Sequence, residues 1–277
     1  METLLGELGK RISDRWVIRL VLPGLLWLVA AATAVVLGHA RPFDAAALVQ
    51  RAEQAGMALS ARPVAAAAAV AAVLGAAVVA GLTAQALGRA VRAVWLGLWR
   101  GPAAPLGRRV RAWRLRRATA RPPEGAAVPG RFLPARPTWI GDRFRLAGER
   151  VDAQYGLRLA LVWIPLWQVL EEPIRTPVQE AADRFDETVR LAGWGALYAA
   201  TGVLWWPGLP VGALVMVIAW RQGRAAAAGF ADVVEATVDT RHRALAEALG
   251  VALPHGRLTR AEAAVINDLL HKGHRLP

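Results

Sequence analysis

Long apolar stretches with no charge at their centres are the feature that most constrains this sequence. Residues 63–87 and residues 191–220 carry no charged side chain, and residues 16–38 carry only Arg19, close to the start of the stretch. A membrane-spanning helix needs about 20 apolar residues to cross roughly 30 Å of hydrocarbon. The sequence therefore predicts an all-α fold with transmembrane helices.

The apolar stretches predict four transmembrane helices arranged as two hairpins. The first hairpin covers residues 16–88, with spans at about 16–38 and 63–87. Its external loop, 39–62, is expected to hold a short amphipathic helix that follows an N-cap at Asp44. Gly75 and Gly81, among many alanines, favour close helix packing in the second span.

The second hairpin is expected within residues 188–224. A straight helix over 191–220 would be about 45 Å long, which exceeds the hydrocarbon thickness. The Trp-Pro-Gly-Leu-Pro sequence at about 206–210 therefore predicts a turn between two short spans. The alternative is one kinked span, which would give three spans and place the C-terminus outside the cell.

The distribution of arginine predicts the orientation of the chain. The protein has 277 residues, is 55% hydrophobic and has a formal net charge of +13. Since Lys and Arg accumulate on the cytoplasmic side of membrane proteins, three segments are predicted to be cytoplasmic in a multi-pass protein of the cell membrane. These are residues 1–15, residues 89–187 and a C-terminal helical hairpin at 225–277.

The densest run of arginines predicts a segment that lies on the membrane surface. It holds Arg108, Arg109, Arg111, Arg114, Arg116 and Arg117, with Trp113 among them. Such a segment suits anionic lipids. Arginine interleaved with tryptophan can also bind single-stranded nucleic acid, but tethering beside a span disfavours that partner.

Several local signals predict helices in the cytoplasmic part, after a proline-rich linker at 121–137. Apolar spacing from Thr138 to a stop at Gly156 predicts one helix. A proline-interrupted apolar stretch, 157–170, is predicted to be buried or to lie on the membrane surface. Capping-box patterns predict further helix starts at Thr176 and Thr259.

The sequence offers little catalytic chemistry. The span centres lack ionisable residues, which disfavours a transporter or pump, although a pore lined by small residues stays open. There is no cysteine, the five histidines are scattered, and no nucleotide-binding or nucleophile motif occurs, so no metal or cofactor is expected. Asp142, Glu149, Asp152 and Tyr155 form one acidic cluster, which is interpreted as surface ion-pair partners rather than an acid–base site.

One segment resembles a known family. The Pro-Thr-Trp-Ile-Gly-Asp sequence that ends at Asp142, Tyr155 with its following Gly-Leu, and the Trp163–Trp167 pair resemble uncharacterised multi-pass membrane proteins of actinobacteria. The pattern departs from that family at Asp142, where asparagine is common, and in the position of the proline between the tryptophans. The resemblance implies two spans, a cytoplasmic middle, two more spans and a helical tail, and it implies no activity.

Three functions follow as hypotheses. The leading one is a non-enzymatic, self-associating scaffold or regulator whose cytoplasmic helices bind a protein partner through a motif that includes Asp142, Glu149, Tyr155, Trp163 and Trp167. The alternative is a small oligomeric channel or membrane-perturbing effector. The third is a membrane-tethered enzyme that uses Asp142 or Glu149.

Overall fold

The computed structural model describes residues 21–120 and 129–271, and the regular structure in these ranges is helical, with no strand. The predicted all-α class is confirmed. The start of the first span with Arg19, the first half of the linker and the last six residues lie outside the described residues. The described residues form nine α-helices, which are α1 (Leu22–Leu37), α2 (Ala45–Ser60), α3 (Pro63–Trp95), α4 (Ala104–Thr119), α5 (Trp139–Tyr155), α6 (Leu159–Val169), α7 (Glu172–Thr201), α8 (Gly208–Ala248) and α9 (Arg260–Leu270).

The chain divides into two compact units. The first, called the apolar unit here, comprises residues 1–91 and 189–220. The second, called the polar unit, comprises residues 92–188 and 221–277. Helices α3, α7 and α8 contribute residues to both.

Small residues bring helix backbones into contact in the apolar unit. A Cβ atom at Gly24 of α1 would collide with the carbonyl oxygen of Ala77 in α3, and one at Gly193 of α7 would collide with the carbonyl oxygen of Ala84. Ala77 and Ala84 are buried. Since glycine carries no Cβ, these crossings place the helix backbones against each other without a side chain between them.

The α7–α8 hairpin is present, but its turn occupies residues 202–207 rather than the predicted 206–210. Gly202 and Gly208 fix the turn, because a Cβ at Gly208 would collide with the Thr201 hydroxyl and one at Gly202 would collide with Leu209. Pro210 lies in the first turn of α8, where its missing N–H leaves no helical hydrogen bond unmade.

One end of the apolar unit is closed by aromatic contacts. The Trp205 Nε1 atom donates a hydrogen bond of 2.8 Å to the carbonyl oxygen of Pro42. The Phe43 and Trp206 rings meet edge to face, with their centroids 5.9 Å apart. The α1–α2 loop and the α7–α8 turn therefore lie at the same end of this unit.

One helix of the described ranges, α3, is long and apolar enough to cross a membrane. It has 33 residues, and only 17% of its most apolar window is buried. The core helix of a soluble protein would have most of that window buried. The described part of α1 is apolar but has 16 residues, which is shorter than a full span.

Local capping signals set the helix ends of the polar unit as predicted. The Thr138 hydroxyl accepts a hydrogen bond from the Gly141 amide at the start of α5, and Gly156 ends that helix with φ of 76°. Thr259 and Glu262 form the predicted capping box of α9. The hydrogen bond from Thr259 lowers the pKa of the Glu262 carboxyl.

The predicted helix start at Thr176 is wrong. Helix α7 begins at Glu172, since the carbonyl oxygen of Glu171 already accepts hydrogen bonds from the next turn, and Pro177 lies inside the helix. The Thr176 hydroxyl donates to the Glu172 carbonyl and so caps nothing. A proline this close to the N-terminus removes one helical hydrogen bond without ending the helix.

Four helices share the core of the polar unit. Val151 of α5, Leu166 of α6, Leu245 of α8 and Ile266 of α9 are buried in one cluster. Helix α6 buries one face there, while its Ile164 is 70% exposed. Residues 157–170 were predicted to be either buried or on the membrane surface. The first alternative is correct for the face of α6 that packs in this cluster.

Candidate functional site

The arginine-rich segment forms helix α4, and its arginines do not share one environment. Five of them, Arg108, Arg109, Arg111, Arg116 and Arg117, are exposed. Arg114 is only 17% exposed, and its Nη1 atom contacts Asp142 Oδ2 at 2.5 Å and the Thr138 carbonyl oxygen at 2.8 Å. The prediction that Arg114 contacts lipid is therefore corrected, because its guanidinium is engaged within the protein.

Asp142 is the centre of a first ion-pair network. Its side chain is 5% exposed, and its Oδ1 accepts hydrogen bonds of 2.9 Å from the backbone amides of Ala135 and Arg136. Arg145 Nε lies 3.3 Å from the same oxygen. The carboxylate thus ties the segment before α5 to both α4 and α5.

The buried position corrects the expectation of a surface ion pair at Asp142. Both carboxylate oxygens accept hydrogen bonds from protein donors, so the group is suited to holding structure. Arg145 extends this network to Glu149, 3.7 Å away, and donates to the carbonyl oxygens of Arg131 and Leu133.

A second network joins α5 to α8. Arg143, 10% exposed, donates through Nη1 to Glu235 Oε1 at 2.8 Å and through Nη2 to Asp232. Arg150 lies 3.2 Å from the other Glu235 oxygen. Sequence reasoning missed Asp232 and Glu235, although their i, i+3 spacing on one helix face was visible.

The remaining motif residues lie elsewhere. The Tyr155 hydroxyl donates a 2.9 Å hydrogen bond to Asp239, and its ring centroid lies 4.6 Å from that of His242. Burial, followed by the bond to Asp239 and its charge, raises the pKa of Tyr155 to about 12. At neutral pH this phenol is therefore a hydrogen-bond donor and not a base.

Trp163 and Trp167 belong to the packing of α6 against the polar-unit core. Their ring centroids are 6.1 Å apart, and the Arg175 guanidinium lies 5.8 Å from the Trp167 centroid. The structure thus joins Asp142 and Glu149 through Arg145, whereas Tyr155 and the two tryptophans pack against the hydrophobic core of the polar unit.

A cavity of about 420 Å³ borders both networks. Its charged lining residues are Arg114, Asp142, Arg143 and Arg150, and all four take part in the ion pairs described above. Within residues 21–120 and 129–271, no group of His, Asp and Glu side chains could hold a metal ion. The charges of these four lining residues are therefore balanced by their ion-pair partners, and none of the four is a free reactive group.

Comparisons with protein-family models, with curated protein sequences and with solved structures found no match to this chain.

Replacing Asp142 with asparagine should destabilise the polar unit by about 3 kcal/mol, because the mostly buried Arg114 guanidinium would lose its carboxylate partner. The matched control is Asp186→Asn, which breaks the half-exposed Arg92–Asp186 pair. That change should cost less than about 1 kcal/mol. Chemical denaturation of the purified protein measures both, and equal losses would contradict the structural role of Asp142.

Proposed function

We propose that this chain is a multi-pass integral membrane protein of the cell membrane that acts as a self-associating, non-enzymatic scaffold or regulator. In this proposal the apolar unit crosses the bilayer with four helices in two hairpins. The polar unit and both termini are cytoplasmic, and the polar unit binds a protein partner. The observation that carries the proposal is the large apolar surface that the apolar unit exposes.

Within the apolar unit, exposed large aliphatic side chains occur on α1, α3 and α8, but not on the part of α7 that belongs to this unit. They include Leu26, Val29, Val35, Val64, Val70, Val79, Leu82, Leu214, Val217 and Ile218. Soluble monomers rarely expose contiguous apolar patches larger than a few hundred Å². A lipid environment would cover this surface, which supports placement of the whole unit in the bilayer.

The arrangement of the loops supports two hairpins with both external connections on one side. The contacts of Trp205 with Pro42 and of Trp206 with Phe43 bring the two connections to one end of the apolar unit. Trp205 and Trp206 are of the residue type that accumulates at membrane interfaces.

The charges support a cytoplasmic polar unit. The chain passes from one unit to the other at three points, and arginine lies at each of them. Arg89 and Arg92 flank the first, Arg190 lies at the second and Arg221 lies at the third. Helix α4 adds five exposed arginines and an exposed Trp113, over which the Arg117 guanidinium lies at 5.4 Å. This combination suits contact with the anionic inner leaflet.

Labelling of single introduced cysteines should report this topology. The natural sequence has no cysteine, so no other residue would give a thiol-labelling signal. The exposed position Glu53 of α2 should react with a membrane-impermeant maleimide in intact cells after Glu53→Cys. Thr119→Cys in α4 and Ala264→Cys in α9 should react only after the membrane is permeabilised. Labelling of either in intact cells, or protection of the Glu53 position, would overturn the orientation.

Self-association is proposed through α3. Gly75 is exposed, and a Cβ added to it would meet nothing within 4 Å. Flanking residues on this side, such as Ala68, Ala71 and Ala72, are small and exposed as well. A second copy could therefore approach this face closely in a bilayer.

Oxidative crosslinking in native membranes tests the self-association. Gly75→Cys should give a disulfide-linked dimer, whereas Ala77→Cys should not, since Ala77 is fully buried against the backbone position of Gly24 in the same chain. Monomers alone from both variants would remove self-association through this face from the proposal.

A further inference from the structure

A second cavity, of about 490 Å³, lies in the polar unit beside the middle of α8. Its lining residues are Trp139, Arg221, Arg224, Ala225 and Ala228. Trp139 also lines the cavity beside the ion-pair networks, so one tryptophan forms part of the wall of both. The two cavities differ in how their arginines are partnered.

The four α8 residues of this cavity share one face of the helix. At 100° per residue, positions 221, 224, 225 and 228 fall within an arc of about 100°, and position 223 falls on the opposite side. Gly223 packs there against Trp95, because a Cβ at Gly223 would lie 2.7 Å from the Trp95 ring. This contact fixes the rotation of α8 and presents both arginines to the cavity.

Neither arginine of this cavity is neutralised by the protein. Within the described ranges, Arg221 and Arg224 are exposed and form no ion pair or hydrogen bond with a protein group. By contrast Arg114, Arg143 and Arg150, which line the other cavity, each pair with a carboxylate. The cavity at Arg221 therefore carries two uncompensated positive charges.

Trp139 holds one of these charges in a defined geometry. The Arg224 guanidinium lies over its ring, 4.6 Å from the centroid. Such stacking occupies the flat face of the guanidinium and leaves the N–H donors at its edge free. Two guanidinium groups one turn apart, one of them stacked, form a site suited to a tetrahedral oxyanion.

We propose that this cavity binds a phosphate group, as the headgroup of an anionic phospholipid or as a free phosphate ester. Ala225 and Ala228 leave room for a group larger than a carboxylate. A lipid headgroup is favoured as the ligand because Arg221 directly follows the uncharged stretch 191–220. This choice of ligand rests on the proposed function, whereas the binding of a phosphate group does not.

Calorimetric titration of the full chain in detergent tests the site, with inorganic phosphate and monomeric dihexanoyl phosphatidylglycerol as probes. The lipid should bind saturably, one molecule per chain. The double variant Arg221→Gln, Arg224→Gln should weaken it by about tenfold or more, since each charge-assisted hydrogen bond contributes strongly. The matched variant Arg243→Gln, Arg257→Gln removes the same charge from exposed positions of the polar unit outside this cavity and should change affinity by less than about threefold.

A second pair of variants tests the cavity without changing charge. Ala225→Leu with Ala228→Leu should fill the space and weaken binding comparably, whereas Ala236→Leu with Ala248→Leu, at exposed positions of the same helix, should not. Affinity for inorganic phosphate within about threefold of that for the lipid would identify a free phosphate ester as the ligand, and much weaker affinity identifies the lipid.

The site is overturned if neither probe binds saturably, if the Ala225/Ala228 pair binds like the parent protein, or if both arginine pairs cost the same affinity. These titrations in detergent do not depend on orientation in a membrane. Cysteine labelling reports the topology separately, so the two proposals can fail independently.

Discussion

Helices of the apolar unit approach one another so closely that glycine and alanine are required at the crossings. At Gly24 with Ala77 and at Gly193 with Ala84, any Cβ on the glycine would collide with a carbonyl oxygen of the facing helix. Close packing inside leaves the larger aliphatic side chains, such as Val64 and Val79, to point outward. The close helix contacts inside and the apolar surface outside thus follow from one distribution of residue sizes. That distribution suits a bilayer, because helices in lipid gain little from burying leucine and gain more from close backbone contact.

The polar unit is held together by a different interaction. Asp142 and Arg143 are neighbours in the sequence, yet one joins the segment before α5 to α4 and the other joins α5 to α8. Successive residues on a helix point about 100° apart, so adjacent opposite charges can serve separate networks. Removal of Asp142 would leave the mostly buried Arg114 guanidinium without its carboxylate, which makes this pair a sensitive position whatever its net contribution to stability.

How much was predictable from sequence depended on the range of each interaction. The limits of α5 and α9 follow from caps within a few residues, at Thr138, Gly156 and Thr259, and these predictions were correct. The start of α7 was missed because the Thr176–Pro177 pattern resembles a helix start although the Glu171 carbonyl had already begun the helix one turn earlier. The Arg114–Asp142 and Arg143–Glu235 pairs join residues 28 and 92 positions apart. No periodicity in a single sequence identifies such partners, and the arginines were consequently assigned to lipid or to neighbouring carboxylates.

Contact between the exposed face of α3 and lipid is the central claim, and spin-label accessibility measures it most directly. Single cysteines at Val64, Leu74 and Ala86 would carry nitroxides in protein reconstituted into vesicles. The account predicts that collision with oxygen is highest at Leu74, which is exposed but lies about 100° around the helix from Gly75, and falls toward the two other positions. Collision with a water-soluble nickel complex should show the reverse order, because oxygen concentrates in hydrocarbon. Equal and high access of the nickel complex at all three positions would show that water surrounds this helix, and would contradict the account.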